Sequence, residues 1–448
     1  MGDPLLWHRF QFAFTIIYHY LFPQLTMGLA LLIVIAKALS LRPGGEGWAR
    51  TARFWVRLFG LNFAVGVVTG IPMEFQFGTN WARFTQFAGG VVGQTLALES
   101  LFAFFLESSF LAMLVWGERR LGPRKHFLAA VALWVGSWLS GVFIVTTNAF
   151  MQHPVAYQRA PDGSLHLESL AGLLGNPWAW AQYAHNQLAA LVTASFVVSA
   201  VGAYWLLQGV HQEDARRNLA LGTTAGLVAA LAVAFPTGDL QAKLVARYQP
   251  VSLAAMEGHF ESGPRAAIHL IGQPNVKERK LDNPIGVPAV LSFLAFGNPA
   301  ADVQGLDDFP EADWPTNVEL LYYAFHVMAG LGTLFIGLMG LTVLFRWRGW
   351  LERSRWLLWA LMLAFPFPYI ANTAGWMTAE LGRQPWLVYG LFRTAEGSSP
   401  TVHAGSTLFT LLGFSGLYLV LGLLFAFLVA REVQHGPGGG DSSGVAHG

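Results

Sequence analysis

Cysteine is absent from the 448 residues. That excludes disulfide bridges, thiolate-held zinc, cysteine-bound iron–sulfur clusters and haem attached through thioether bonds. Charge is also scarce: Asp, Glu, Lys and Arg make up 12% of the chain against 54% hydrophobic residues, and the mean hydropathy is +0.44. So little polar surface cannot cover a soluble globule of this length. The formal net charge is +1 and the basic residues lie in short loops, so no cationic face for nucleic acid is present. The start, MGDPLLWHRF, has no cationic leader ahead of its apolar stretch, and a cleaved signal is not expected. No short-period repeat and no inverted pair of segments is visible.

What the chain has in abundance is long apolar runs. Nine lie near 12–36, 54–72, 91–116, 127–149, 183–209, 218–236, 319–346, 356–378 and 404–430. Each is long enough to cross a hydrocarbon core of about 30 Å as a helix. The expected fold is therefore all-α and polytopic, with about nine transmembrane helices. Lys37, Arg42, Arg50 and Arg53, then Arg119, Arg120, Arg124 and Lys125, then Arg216 and Arg217, then Arg346, Arg348, Arg353 and Arg355 occupy alternate connections. Basic loops stay in the cytoplasm, which puts the N-terminus outside and the C-terminus inside. The connections between them carry chiefly Arg83, Arg159, Arg383 and Arg393.

The chain divides into helices 1–6 over 1–236, an extracytoplasmic loop over 237–318, helices 7–9 over 319–430 and a disordered tail over 431–448. The loop is too long for a simple connector. Its middle is rich in Gly, Pro, Asn and Asp, while VSLAAMEGHFES (251–262) reads as a short helix. The tail is rich in Gly and Ser.

Ionisable side chains at membrane depth are costly and mark function by default. Of 13 histidines, His19, His185 and His326 fall within or at the ends of apolar runs. Each is either a hydrogen-bonding residue or an iron ligand, and Met328 in FHVMAGLG is either core filler or a haem ligand. Glu99 and Glu107 share one run, eight residues apart. That spacing gives about 12 Å of rise and side chains within roughly 80° of each other, so both face one polar track. Ser108 and Ser140 extend it. The alternatives are a proton or cofactor role and a hydrogen-bonded pair holding helices together. Gly375 to Trp386, reading GWMTAELGRQPW, sets Glu380 and Arg383 three residues apart between Trp376 and Trp386. The spacing permits a local ion pair, and the tryptophans suit an interfacial belt.

GIPMEFQFGTNW (70–81), the Glu99/Glu107 segment, TNAFMQHP (147–154), QLAAL after His185, FHVMAGLG and GRQPW (382–386) stand in this order along the nine runs. Together they resemble subunit I of the cytochrome bd-type quinol:oxygen oxidases, over residues 1 to about 430. The resemblance implies a membrane-embedded terminal respiratory oxidase of the bacterial inner membrane that oxidises quinol, reduces oxygen to water and builds proton motive force without pumping. His185 and Met328 match the axial pair of a low-spin haem b. His19 and Glu380 match the ligands of a high-spin haem b and of haem d, or a further haem b in its place. Glu99 and Glu107 match acids of the haem region and of proton delivery. Trp376, Arg383 and Asn148 match residues lining the haems, and Glu257 matches a quinol-site acid of the loop. The implied partners are a membrane subunit II, a possible single-helix accessory chain, quinol, oxygen and the lipid bilayer.

Two positions depart from the family pattern. Ser252 stands where a lysine is usual and His326 where an arginine is usual. Both exchanges remove a fixed cation. His326 lies about 200° round the helix from Met328 and is not expected to face the same iron. The loop is short, as in the short-loop branch of the family. Two other readings fit the sequence: an ion-coupled secondary transporter, and a quinol-oxidising membrane cytochrome with another acceptor.

Overall fold

The structure is a computed structural model and describes residues 3–438. Nine helices among the described residues are long and apolar enough to cross a membrane: Pro4–Ser40, Glu46–Gly78, Ala82–Trp116, Glu118–Gln152, Pro177–Gln208, Gln212–Tyr248, Val318–Trp347, Arg355–Arg383 and Ala404–His435. They are called the first to ninth spans in that order. Every expected run falls inside one of them save for the last residue of 183–209, Gly209, which caps the fifth helix, and each helix extends beyond its apolar run at one or both ends.

Local chemistry sets the ends. Asp3 accepts from the Leu5 amide at 3.0 Å, Asn176 from Trp178 at 3.0 Å and Asn317 from Leu320 at 2.8 Å. These caps meet backbone donors that a helix start leaves open, and Pro4 and Pro177 sit where no donor is needed. The fourth helix bends at Gly122, with φ of 68°, ahead of Pro123. Glycines bring the spans together. A β-carbon on Gly28 of the first span would lie 2.2 Å from the Ala190 carbonyl oxygen of the fifth. Gly202 and Gly222 bring the fifth and sixth spans together, where an added β-carbon would meet the Ala215 and Ser195 carbonyls at 2.9 and 2.8 Å. Without a solvent-driven hydrophobic effect between helices, close packing of this kind is what associates them.

Three elements differ from expectation. The sixth span does not end at 236: it kinks at Phe235, whose backbone is extended (φ −137°, ψ 122°), and helix resumes over Asp239–Tyr248, so the loop begins later than 237. The short helix spans Pro250–Glu257 rather than 251–262, because Gly258 turns into the left-handed region with φ of 63°. The loop also holds an antiparallel hairpin, Ile268–Asn275 paired with Lys280–Val287, which composition alone did not reveal. It packs a small core of Leu253, Ala254, Phe260, Leu306 and Trp314 against Leu321 of the seventh span. The ninth helix runs to His435, so the expected tail loses its first five residues; 439–448 lie outside the described residues.

Candidate functional site

Two histidines inside the bundle are held in the same way. His19 of the first span places Nδ1 at 3.2 Å from the Thr69 hydroxyl of the second, and His185 of the fifth places Nδ1 at 3.3 Å from the Thr237 hydroxyl of the sixth. In both rings Nε2 makes no hydrogen bond among the described residues. A neutral imidazole anchored at one nitrogen and free at the other is the arrangement an axial iron ligand requires. Glycines face both rings: a β-carbon on Gly70 would lie 3.0 Å from His19 Cε1, and one on Gly238 would lie 3.6 Å from His185 Cε1. Met328 of the seventh span faces Gly375 of the eighth, where a β-carbon would come within 2.8 Å of its sulfur. The donor set of imidazole, thioether and carboxylate fits haem iron, which cannot here be held by thiolate.

Glu380 lies at the end of a polar chain across three spans. The Gln182 amide donates to Asn148 Oδ1 at 2.7 Å, and Asn148 donates to Glu380 Oε1 at 2.7 Å. Arg383, only 1% exposed, pairs with the same carboxylate through both terminal nitrogens. The expected local ion pair is present. A carboxylate offers about four lone-pair directions, so three donated bonds leave one for a metal. Trp376 tilts over Tyr20, the neighbour of His19, with ring centroids 6.0 Å apart. The structure thus draws Asn148, Glu380 and Arg383 into one cluster and sets Trp376 beside the His19 turn.

The two acids of the third span are less alike than their spacing implied. A π-helical segment, Glu99–Phe104, lies between them and shifts the phase of the helix. Glu99 accepts from the Ser140 hydroxyl at 2.7 Å. Glu107 is 6% exposed and sits where Gly136 allows the fourth span close approach: a β-carbon there would be 3.1 Å from the Glu107 amide. Ser108 does not extend the track, because its hydroxyl bonds the Phe104 carbonyl of its own helix at 2.8 Å.

In the loop, Glu257 is 2% exposed and its Oε2 has no partner among the described residues. Burial pushes its carboxyl up to about 8. Ser252, on the same short helix, donates to the Gly382 carbonyl at 2.6 Å and so ties the loop to the eighth span beside Arg383. Gln249 reinforces the join by donating to the Gln152 side chain at 2.9 Å. His326 bridges two carbonyls, Tyr322 at 2.8 Å and His269 at 2.7 Å, and pins the hairpin to the seventh span. Both its nitrogens are occupied by these carbonyls.

A model of the family described as cytochrome bd terminal oxidase subunit I matches residues 7–437. The chain belongs to that family. Among its relatives, cytochrome bd ubiquinol oxidase subunit 1 of Bacillus subtilis is 37% identical over 445 residues, covering 97% of this chain and 94% of the relative. Cytochrome bd-II ubiquinol oxidase subunit 1 of Escherichia coli is 30% identical over 503 residues, covering 98% of each. Among solved structures, the bd oxidase from Geobacillus thermodenitrificans aligns with a TM-score of 0.88 at 32% identity, covering 97% of this chain and 99% of that one. Likeness along the whole bd subunit I chain leaves the transporter reading without support.

Membership makes this a haem-binding, quinol-oxidising membrane subunit. Thr69 and Thr237, which orient the two imidazoles, were not singled out in the sequence. Each is a single threonine in an apolar run and reads as helix filler. The available signal was the pairing: each threonine immediately precedes a glycine that opens space for the histidine ring.

Proposed function

We propose that this chain is the haem-bearing subunit of a quinol:oxygen oxidoreductase in which His185 and Met328 hold a low-spin haem b, and His19 and Glu380 hold a high-spin haem b and haem d, or a further haem b in its place. What carries the reading is the matched pair of imidazoles, each tethered at Nδ1 by a threonine of the neighbouring span and free at Nε2. Haem, once bound, supplies the one-electron chemistry and the iron at which oxygen is reduced. The chain supplies ligation, proton access and the low-dielectric setting.

Thr237 and Thr69 fix the ring tautomers. Asn148 and Arg383 hold the Glu380 carboxylate and its charge, and Trp376 walls the same region. At the loop, Glu257 takes up protons from quinol and releases them outside. A carboxyl raised to about 8 by burial acts as a base more readily as pH rises toward that value. Glu107 and then Glu99 pass protons inward from the cytoplasmic side, with Ser140 orienting Glu99. Taking chemical protons on opposite faces separates charge without a pump. The N-terminus lies outside and the C-terminus in the cytoplasm of a bacterial cell. A membrane subunit II completes the enzyme, with a single-helix accessory chain beside it, and covers part of the apolar face that Phe409, Leu412, Leu419, Leu423 and Phe427 present on the ninth span.

A reduced-minus-oxidised optical spectrum of the purified complex, repeated under carbon monoxide, tests the assignment. Low-spin b bands with a far-red band mean haem d; b bands that respond to carbon monoxide without a far-red band mean haem b in its place. A spectrum without haem rejects the assignment. Oxygen consumption with quinol separates an oxidase from a cytochrome serving another acceptor.

A further inference from the structure

His8, Gln11, Thr15 and His19 follow one another at spacings of three, four and four residues, and so form one stripe along the first span. His8, Gln11 and Thr15 are 0%, 2% and 0% exposed. The second span adds Gln76, the turn after it adds Asn80, 3% and 5% exposed, and the ninth span adds Thr410. These groups are joined: Asn80 donates to Gln11 Oε1 at 2.7 Å, Gln11 to the Thr410 hydroxyl at 3.0 Å, and Gln76 to the Thr15 hydroxyl at 3.0 Å. At the loop side, His8 Nδ1 lies 2.8 Å from the Ser398 hydroxyl. Ser398 lines a pocket of about 370 Å³ together with Asp3, Arg83 and His403. At the inner end, one helical turn beyond Thr15, stands His19.

Polar bonds between spans often do no more than fasten helices. Three atoms here are left over from that task. His8 Nε2, Gln76 Oε1 and Trp81 Nε1 are buried without a partner among the described residues, and Trp81 itself is 6% exposed. The last two, an acceptor and a donor, lie at the turn that closes the second span. Buried polar groups of this kind are met by ordered water. Between His8 and His19 the stripe offers amides and hydroxyls and no carboxylate or amine, so it orders water without storing a proton. The intramembrane acids of the third span stand apart from it.

We propose that this column is a water exit, carrying the product of oxygen reduction from the His19 end of the haem region to the pocket on the loop side. The overall reaction makes it necessary: two quinols yield four electrons and four protons, one oxygen takes up four of each, and two waters form inside an apolar bundle. The proposal rests on His19 as a haem ligand.

The holoenzyme, with its partner subunit and haems, tests it in two ways. A cryo-EM map that resolves waters is expected to show them on Gln76 Oε1 and Trp81 Nε1. Hydroxyl-radical footprinting in oxygen-18 water is expected to label Trp81 despite its burial. In Gln76→Leu the water and the Trp81 label are lost, turnover falls, and haem content and spectrum stay as in the parent. Should Gln76→Leu fail to assemble, Thr15→Val, which keeps the side-chain shape, is read in the same way. A dry column in a haem-replete parent, or full turnover in a variant that has lost the water, overturns the proposal. Absence of haem from the parent would instead remove the functional reading on which it stands.

Discussion

Asn148, on the fourth span, donates its amide hydrogen to Oε1 of Glu380, on the eighth, across 2.7 Å. The same asparagine accepts from Gln182 of the fifth span at 2.7 Å, so one amide aligns a carboxylate with two neighbouring helices. Asn148→Leu keeps the volume and removes both bonds. A hydrogen bond to a charged group is worth about 1.5–3 kcal/mol, and the loss also strands the Gln182 donor. The expected outcome is loss of one haem per chain while the low-spin haem stays, read from haem content per protein and from the spectrum.

Gly375 and Met328 make a more local prediction. Gly375→Ala places a carbon 2.8 Å from the methionine sulfur, closer than the two atoms tolerate, so the thioether must swing away. With Met328 as its proposed ligand, the low-spin haem is then expected to lose one axial bond. Conversion of its spectrum to high spin, with new carbon monoxide binding, is expected. An unchanged low-spin spectrum would mean that Met328 does not ligate.

Thr237→Val tests the tether on His185. The isosteric change removes the hydroxyl at 3.3 Å from Nδ1 and leaves the imidazole in place. Such orienting partners alter metal affinity by about 10- to 100-fold. The variant is expected to lose the low-spin haem more readily on dilution or detergent washing, whereas Thr69→Val weakens retention at His19 only. Equal losses from both sites in either variant would point to general destabilisation.

These residues show where the sequence was legible and where it was not. The nine spans were readable because a bilayer imposes length and hydropathy on each segment separately. His19, His185 and Glu380 stood out because charge and imidazole are rare at membrane depth. The threonines behind them did not, because one hydroxyl in a helix normally bonds its own backbone; Thr69 also does so, at 2.9 Å to Val65. The π-helical turn after Glu99 was invisible to an ideal helical projection, and with it the divergence of the two acids. The stripe of His8, Gln11 and Thr15 had the right periodicity to be found, but it was masked by an apolar average over the whole run.

Glu257 gives a pH dependence with a definite sign. Burial raises its carboxyl to about 8, above the ordinary carboxylate range, so the folded loop binds the proton more tightly than the unfolded chain. Its contribution to loop stability is complete below the ordinary range and is lost as pH climbs to about 8 and past it. Exchange protection of Pro250–Glu257, corrected for the intrinsic pH dependence of amide exchange, is expected to fall between pH 6 and pH 9. In Glu257→Gln the fall disappears. Equal protection at both pH values in the parent would contradict the buried neutral acid.

Glu107 separates a proton relay from a structural acid. It is buried where the third and fourth spans approach closely at Gly136, and it has no bonded cation among the described residues. A purely structural acid would hold the helices through hydrogen bonds, so Glu107→Gln would preserve the enzyme and Glu107→Ala would cost haem. A relay requires a group that gains and loses a proton, which glutamine does not do. Both variants are therefore expected to keep full haem content and normal reduction by quinol, and both are expected to slow oxygen consumption by about 10²- to 10⁴-fold, the usual contribution of a positioned proton-transfer group. Glu99→Gln is expected to slow it as well, since Ser140 holds that carboxylate farther along the route. Loss of haem from Glu107→Ala, with Glu107→Gln fully active, would make the acid a helix fastener and move proton delivery elsewhere in the complex.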